Sequence, residues 1–416
     1  PETPYPLEAF PEPTLLARLV EEYFFHFSVY FPLLHRPTFE GNIRDGLHLR
    51  DEGFGSTLLL VCALAGRFSS DARVLPTETK SWHWAGWPWF QRVRSTRKLI
   101  NLTSPTLYDL QLCVLVACYI TMSPVVHAVY PIIGHGIRIA QDMGVHRRTM
   151  YGPRLTIEEE LKKRAFWCLI CMECGLCDRL GRPYNIHYED FDLDLPVECD
   201  DEYWTNDDPD LAFKQPPGKP SKASVFIQVI RLGRILSHAY RIIHRAPIEK
   251  LLSNPDEAQR AVSQIDSELN EFITSLPDHL KWDTQNDDFF VHQSAMLHAS
   301  YYTIQITVHR PFVPLPKRPS PLSFPSLAIC TNAARSCIRV MEVQYYKLGS
   351  SLSLHWYQMS LFTCSVILLL NVWYGKMAGI AINPEKELED VKKAMHMLQS
   401  LESRWVVFNV GKALNV

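Results

Sequence analysis

Glycine is scarce in this chain, and the catalytic motifs that depend on it are missing. Only 18 of the 416 residues are glycine, roughly 4% against a usual ~7%. The sequence contains no G-x-x-x-x-G-K-[ST] or G-x-G-x-x-G loop for phosphate, no G-x-S-x-G nucleophile motif and no H-E-x-x-H zinc motif. These absences exclude the familiar nucleotide-binding, serine-hydrolase and metalloprotease signatures, and we expect no enzyme.

An excess of charge of either sign is also missing. With 42 basic and 45 acidic residues, the net charge is −3, which leaves no basic footprint for nucleic acid.

The 11 cysteines follow no disulfide spacing, which favours reduced thiols inside the cell. The first residues show neither the basic nor the apolar segment of a signal peptide. The longest apolar run, 361–373, is shorter than the ~20 residues of a membrane span. We interpret it as a buried core helix, with a transmembrane helix as the alternative.

Strand alternation and hairpin turns are nearly absent, whereas apolar residues recur with helical spacing along the whole chain. The first half predicts helices at 13–31, 54–69, 88–100, 106–122, 127–143 and 156–180. The second half predicts helices at 222–252, 255–275, 287–310, 325–346, 352–374 and 384–403. The predicted fold class is therefore all-α, a large multi-helix domain with a long irregular loop near residues 185–222.

Prolines and acidic residues interrupt the helical pattern near the middle of the chain. Residues 200–222 combine four prolines with several aspartates, a composition typical of a surface loop or linker. We therefore expect an N-terminal helical part at 1–200, a loop at 201–222, and a C-terminal helical part at 223–416 packed on the first.

The helix predicted at 156–180 has the clearest start signal, because Thr156 and Glu159 have the spacing of a capping box. Four cysteines follow at every third position: Cys168, Cys171, Cys174 and Cys177. This run is similar to an iron–sulfur motif. On an intact helix, however, the thiols fan over ~180° of the surface and ~13 Å of the axis. We interpret them as core-facing thiols, and a metal or redox enzyme using this run is a minor alternative.

The most unusual local composition is W-H-W-A-G-W-P-W-F at 82–90. Its large rigid side chains come from four tryptophans: Trp82, Trp84, Trp87 and Trp89. Their apolar surface and N–H donors suit the wall of a small-molecule pocket or a partner surface. We name them as candidate effector-binding residues; the alternative is that they cap the core between two helices.

Three acidic residues, Asp190, Asp192 and Asp194, alternate with three apolar ones ahead of Pro196. In an extended segment the acidic side chains share one face and the apolar side chains the other. A cation site is one interpretation of this face. We favour the other, a half-buried connection with one side in solvent.

Short motifs in a fixed order resemble a known family. They read Y-F-F-H-F-S-V-Y-F-P-L-L-H-R-P-T-F at 23–39, I-A-Q-D-M-G-V-H-R-R at 139–148, E-E-E-L-K-K-R-A-F-W at 158–167, L-G-R-P at 180–183, D-F-D-L-D-L-P at 190–196 and H-R-P-F at 309–312. The series is similar to the regulatory, or middle homology, region of fungal zinc-cluster transcription factors. The motif residues are His35, Arg36, Pro37, Phe39, Gly144, His146, Arg147, Glu159, Arg164, Trp167, Gly181, Arg182, Pro183, Asp190, Asp192, Asp194, Pro196, Arg310 and Pro311.

The resemblance implies an all-helical regulatory domain of a nuclear transcription factor, in the activator or repressor class. In that family a separate N-terminal module, with six cysteines around two zinc ions, contacts DNA. The spacing of those cysteines is missing here, so we expect no cofactor in this chain. Zinc and DNA would bind only to a missing module. The family's leucine–aspartate–arginine triplet and serine correspond to Met172, Glu173, Cys174 and Cys177, so its arginine is absent.

Two motif arginines, Arg36 and Arg182, each precede a proline, which disfavours α geometry at the arginine. This predicts that a helix ends at each of them. Their guanidinium groups are then expected to cap helix carbonyls or to pair with Asp190 or Asp192. Contact with an effector is the alternative.

These observations predict a domain that senses a small-molecule inducer or a coregulator protein and controls a linked DNA-binding module. We expect it in the nucleus, with the cytoplasm as the alternative, and not at a membrane. The alternative function is an interaction or homodimerisation platform without a small-molecule ligand.

Overall fold

A computed structural model describes residues 5–93, 104–123, 128–244, 251–283, 287–314, 325–347, 357–379 and 384–404. Within those ranges the regular structure is helical and no strand is present. The all-α prediction is confirmed. The chain divides into two compact units: the first runs to Ile230 and includes Arg404, and the second runs from Arg231 to Ser403.

The first unit is built around two helices that are apolar on all sides. Its helices are α1 Pro13–His26, α2 Arg36–Arg44, α3 Glu52–Gly66, α4 Trp87–Phe90, α5 Leu107–Thr121, α6 Val129–Asp142 and α7 Ile157–Leu180. Helix α3 packs against α1, α4 and α5, and α5 also packs against α6 and α7. A helix that is hydrophobic all round is stable only when it is surrounded, so α3 and α5 form the centre of this unit.

Local start and stop signals fix the ends of α7. The Thr156 hydroxyl accepts the Glu159 backbone N–H at 3.2 Å, and the Glu159 carboxylate accepts the Thr156 N–H at 2.8 Å. The helix ends at Gly181, whose φ of 60° is left-handed, a conformation that glycine adopts without a steric penalty. The capping-box prediction is confirmed.

The second unit contains the remaining helices. Helix α8 spans Ser224–Ala239 and crosses the boundary between the units; α9 Pro255–Thr274, α10 Asp288–His309, α11 Ser326–Lys347, α12 Gln358–Ala378 and α13 Pro384–Leu401 follow. Successive pairs from α9 to α13 pack together. The predicted segments 255–275, 287–310, 325–346 and 384–403 correspond to α9, α10, α11 and α13 within two residues.

The H-R-P-F motif ends α10. His309 is fully buried, with Nε2 3.1 Å from Asp266 and Nδ1 3.3 Å from the Ser326 hydroxyl. Arg310 and Pro311 then form a 3₁₀ turn, Arg310–Phe312. The motif therefore anchors the end of one helix to α9 and to the start of α11.

Two helix predictions around the first motif are wrong. Helix α1 ends at His26 rather than at residue 31, because the N–H groups of Phe27 and Ser28 both turn back to the Tyr23 carbonyl. Arg36 begins a helix instead of ending one. Pro37 occupies the second helical position, where its missing N–H costs no intrahelical hydrogen bond.

Four other predicted segments extend into residues that the structure does not describe, one of them, 127–143, by its first residue only. Of 88–100, only α4 and the following turn are described. The segment 222–252 becomes α8 followed by a π-helical turn at Tyr240–His244, and 245–250 lie outside the described ranges. Of 352–374, residues 352–356 also lie outside those ranges, and α12 extends to Ala378.

Helix α12 contains the longest apolar run. In the described part of the chain it is the one helix long and apolar enough to cross a membrane by length and composition. Its first half packs Leu361, Cys364 and Leu368 into the second unit, as a core helix does, whereas Trp373 and Met377 in its second half are exposed.

Candidate functional site

The loop at 185–222 is irregular, as predicted, but its first part lies closely against the first unit. We call residues 183–204 the belt. It contains two 3₁₀ turns, Tyr188–Asp190 and Asp201–Tyr203, and extended chain between them. It ends at Trp204, whose side chain is among the largest fully buried ones. Five of the motif residues contact this belt: His35, Arg36, His146, Arg164 and Trp167.

Arg164 of α7 holds the end of the belt. Its guanidinium is 2% exposed; Nη1 donates to the Asp201 carboxylate at 3.1 Å and to the Pro32 carbonyl at 3.3 Å. Nε lies 3.5 Å from Glu160, and the group lies 4.2 Å from the centre of the Trp204 ring. Glu160 also accepts the Val197 backbone N–H at 2.9 Å. This buried cation is therefore matched by two carboxylates and an aromatic face.

The first motif contacts the same point. The His35 ring stacks on Trp204 at 4.6 Å. Its Nε2 is 2.9 Å from the Asp201 carbonyl, and its Nδ1 is 2.7 Å from the Thr38 hydroxyl. Because a carbonyl only accepts, Nε2 carries the proton and Nδ1 accepts from Thr38. The Arg36 backbone N–H donates to the Asp201 carboxylate at 2.9 Å, so the start of α2 is tied to the belt.

The predicted pairing of the Arg36 guanidinium with Asp190 or Asp192 is wrong. The guanidinium binds Glu40 at 2.7 Å and also Glu21. The reason is geometric: as the first residue of α2, Arg36 lies one turn before Glu40. The prediction for Arg182 is confirmed in part, since α7 ends just before it, and its guanidinium lies 5.6 Å from the Tyr130 ring centre.

The state of His35 predicts a pH dependence of stability. Burial lowers its pKa below the ordinary 6.5, by more than the Asp201 contacts raise it. The unfolded chain therefore binds a proton near pH 6.5 that the folded chain binds only at lower pH, so the free energy of unfolding falls below about pH 6.5. In urea titrations at pH 7, 6 and 5, the wild type should lose stability relative to His35→Gln. A difference that stays constant with pH would contradict this role.

Contacts from α7 and α6 fix the start and middle of the belt. The Glu173 carboxylate accepts the Asn185 backbone and side-chain N–H groups at 2.8 and 2.7 Å. The Trp167 indole donates to the Asp194 carbonyl at 2.9 Å, and the Tyr130 hydroxyl donates to the Pro183 carbonyl at 2.8 Å. Glu173 stands where the family's triplet has a carboxylate, and here it binds backbone instead of an arginine.

The acidic face of the belt is exposed, as we favoured from the sequence. Asp190 closes its own 3₁₀ turn by accepting the His187 N–H at 2.8 Å. Asp192 accepts the Arg148 backbone N–H at 3.1 Å, and Asp194 pairs with the Arg148 side chain at 2.7 Å. In the described ranges no group of three His, Cys, Asp or Glu side chains could hold a metal ion. Of the three apolar residues that alternate with these aspartates, Leu193 is buried and Phe191 is half-buried, but Leu195 is exposed, so the prediction of a buried apolar side is wrong at Leu195.

The turn after α6 faces the same acidic residues. Gly144 has a left-handed φ of 72°, and the Arg147 N–H donates back to the Gly144 carbonyl at 2.9 Å. The His146 carbonyl accepts the Asp192 N–H at 3.3 Å. Pro196 is buried in the belt. The motif residues of this turn therefore support the belt through backbone hydrogen bonds.

The four thiols of α7 point to different surroundings along one continuous helix. Cys168, Cys174 and Cys177 are buried, and Cys177 lies 3.5 Å from the Pro183 carbonyl. Burial raises the pKa of the Cys168, Cys171 and Cys174 thiols, and that of Cys177 to about 12. Protonated thiols are poor nucleophiles and poor metal ligands.

These thiols are therefore expected to be unreactive in the folded chain. At pH 7.5, Ellman's reagent should label less than about one equivalent of the 11 cysteines per chain within minutes, because burial keeps them as thiols. In 6 M guanidinium, all of them should react. Metal analysis of the dialysed protein should find no stoichiometric iron or zinc. Fast labelling of residues 168–177, or one bound metal per chain, would support the metal or redox alternative.

The four tryptophans contact the core side of the first unit. Trp89 is buried, and the Trp84 ring meets the Trp87 ring edge-on at 5.2 Å. Trp82 lies under the Arg404 guanidinium at 4.5 Å. Gly86, between them, has φ 82°, and a Cβ there would lie 2.0 Å from the Ala63 carbonyl oxygen. These contacts fit a cap on the end of α3, and an effector site at the tryptophans stays a prediction.

The first unit also contains a cleft of about 450 Å³, which we call the α5 cleft. Residues from α2, α3, α5 and the start of α7 line it, and none of the four tryptophans does. Its apolar wall consists of Leu34, Phe39, Phe54, Leu107, Ile157 and Leu161. A pocket of this size with a mostly apolar wall and a few polar groups is typical of small-molecule sites.

Most polar groups of the α5 cleft are already engaged. His35 and Thr38 bind as described above, and Asp51 caps α3 by accepting the Phe54 N–H at 2.7 Å. The Thr57 hydroxyl donates to the Gly53 carbonyl, Thr106 belongs to a capping box with Asp109, and Glu158 pairs with Lys162 at 2.7 Å. Three remain without a side-chain hydrogen bond in the described ranges: Asn42, Tyr108 and Gln111.

The comparison with protein families matches residues 20–274 to the fungal specific transcription factor domain. That match covers more than half of the chain. The chain belongs to this family. The resemblance seen in the motifs is thereby confirmed, and the matched region contains α2, α7, the belt and the α5 cleft.

Relatives of this domain are transcription regulators. Transcriptional activator protein acu-15 of Neurospora crassa is 26% identical over 341 residues, which are 78% of this chain and 34% of the relative. An ABC-transporter-regulating transcription factor of Aspergillus oryzae is 24% identical, over 78% of this chain and 37% of its own length. Cutinase transcription factor 1 alpha of Fusarium vanettenii is 26% identical over 53% of this chain and 25% of its own. The chain spans about a third of the length of the first two. No solved structure matches this regulatory domain.

Sequence reasoning missed the residues that give the α5 cleft its polarity. Gln111 was detectable as a single amide inside the apolar run L-Y-D-L-Q-L-C-V-L-V. Asp201 and Trp204 lie in a segment whose composition predicts only a loop. Their partners lie far away in the sequence, for example Arg164 for Asp201, and no local pattern joins them.

Proposed function

We propose that this chain is the regulatory region of a larger fungal transcription factor that acts in the nucleus. It would control a linked zinc-cluster module that binds DNA, and would form or break no covalent bonds itself. The observation that carries the proposal is the family match over residues 20–274, combined with relatives of which this chain covers only about a third. Their additional length leaves room for a DNA-binding module.

The roles of the motif residues support a regulatory body over an enzyme. Arg164, Trp167 and Glu173 bind backbone and side-chain groups of the belt. The histidine of the α5 cleft has both ring nitrogens engaged, so it has no free base for proton transfer. Zinc is proposed outside this chain, because the α7 thiols are buried and spread along one helix.

Regulation requires two arrangements of the domain that bind a signal with different affinity. The belt is the element we propose for the change, because it ties the start of α2 to α7 through Arg164 and Asp201. Release of this contact would free α2 and the end of the belt together. The small-molecule signal would act where α2, α3, α5 and α7 meet.

A reporter fusion tests the proposal. The chain is inserted between a heterologous DNA-binding domain and an activation segment in yeast, and compared with a flexible linker of equal length. We expect reporter output to differ by at least about fivefold, the lower end of typical regulatory coupling, with equal protein levels and promoter occupancy. Equal output from the chain and the linker would overturn the proposal.

A further inference from the structure

Gln111 lies on the wall of the α5 cleft, and its amide has no hydrogen-bond partner among the residues that the structure describes. Its side chain is 3% exposed, it lines the cleft, and it makes no hydrogen bond within the residues that the structure describes. A leucine would suit this position of the apolar helix α5, whereas the amide offers both a hydrogen-bond donor and an acceptor to a molecule in the cleft. A few polar groups on a mostly apolar wall are typical of ligand sites, so the amide indicates a ligand.

The charge of the cleft limits what that ligand can be. Among the residues that the structure describes, its charged lining residues are Asp51 and Glu158, and no lysine or arginine lines it. Lys162 pairs with Glu158, whereas the structure shows no cation paired with Asp51 in the described ranges. Burial and both carboxylates raise the pKa of Tyr108, which lies between them. The described lining of the cleft therefore disfavours anions, and its Asp51 carboxylate caps α3 without a side-chain cation beside it.

We propose that the α5 cleft binds a small, mostly apolar amine, with its cationic nitrogen at the Asp51 carboxylate and a hydrogen bond to the Gln111 amide. The apolar body would lie against Phe39, Phe54 and Leu161. This assignment rests on the proposed function, since it names the chemical class of the signal. It also explains why Gln111 is tolerated inside an otherwise apolar helix.

Three compounds that share a naphthyl ring and carry a positive, a neutral or a negative polar group test the charge selectivity. Calorimetric titration at pH 7 uses 2-(1-naphthyl)ethylamine, 2-(1-naphthyl)ethanol and 1-naphthylacetate with the full chain. We expect the amine to bind about tenfold more tightly than the alcohol, since a hydrogen bond to a charged group exceeds a neutral one. The acetate should bind most weakly.

Two variants separate the two contacts. Asp51→Asn keeps the helix cap, because asparagine caps as well as aspartate, and should remove the preference for the amine over the alcohol. Asp45→Asn, at an exposed residue outside the cleft, is the matched control and should leave the preference unchanged. Gln111→Leu should weaken the binding of amine and alcohol alike while raising the melting temperature by a few degrees.

Tightest binding by the acetate, or no binding by any of the three compounds, would overturn the amine assignment. So would equal amine binding by wild type and Asp51→Asn, or a lower melting temperature for Gln111→Leu. The reporter comparison between the fused chain and a linker does not depend on any of these binding results. Failure of the assignment and failure of the regulatory function are therefore distinguishable.

Discussion

Replacement of Arg164 by methionine is expected to lower the free energy of unfolding by about 3–5 kcal/mol, the usual loss when one partner of a buried ion pair is removed. The methionine would leave Glu160 and Asp201 without their shared cation and would remove the group that covers Trp204. Urea denaturation followed by circular dichroism at pH 7 measures the loss.

Arg36→Gln is the matched control for this prediction. Arg36 is also a motif arginine with two carboxylate partners, but its side chain is 41% exposed. Exposed ion pairs contribute only about 0–1 kcal/mol, so the control should stay within that range. Arg164→Lys should fall between the two, because an ammonium cannot reach Asp201, Pro32 and the indole face together. Equal losses for Arg164→Met and Arg36→Gln would contradict the central role of Arg164.

Gly86→Ala is expected to destabilise the chain by about 2–6 kcal/mol, the sum of backbone strain and overpacking. The φ of 82° is left-handed, and the added methyl would lie 2.0 Å from the Ala63 carbonyl oxygen. Because the Ala63 carbonyl belongs to the last turn of α3, which ends at Gly66, it cannot move aside alone, so either the tryptophan segment or α3 must shift. Thermal unfolding followed by circular dichroism measures the loss.

Gly181→Ala separates backbone strain from the steric clash. Gly181 also has a left-handed φ, 60°, but nothing lies within 4 Å of an added Cβ. This control should lose only about 1–2 kcal/mol. A loss for Gly86→Ala no larger than that of Gly181→Ala would show that the tryptophan segment does not pack tightly on α3.

The elements that the sequence predicted well are those whose signals are local. The capping box of Thr156 and Glu159 and the glycine at 181 fixed both ends of α7, because those hydrogen bonds lie within the helix itself. The prediction at Arg36 failed because proline breaks a helix in its interior yet is favoured in its first turn. The local sequence does not distinguish these two positions.

The sites depended on contacts between distant residues. The family resemblance pointed to Arg164, but its partner Asp201 lies 37 positions away in a segment that reads as a polar loop. Local composition predicts a binding site at the tryptophans. The α5 cleft, in contrast, is lined by residues of four helices that are distant in the sequence. Among the cleft residues, only Gln111 has a local sequence signal, because it is a single amide in an apolar run.

The most direct test of the regulatory role measures the reporter output of the fused chain, its Arg164→Met variant and its Arg36→Gln variant at equal promoter occupancy. If the belt contact controls the linked module, Arg164→Met should shift output by at least about fivefold toward that of the flexible linker, and Arg36→Gln should match the wild type. Identical output from all three fusions and the linker would contradict it.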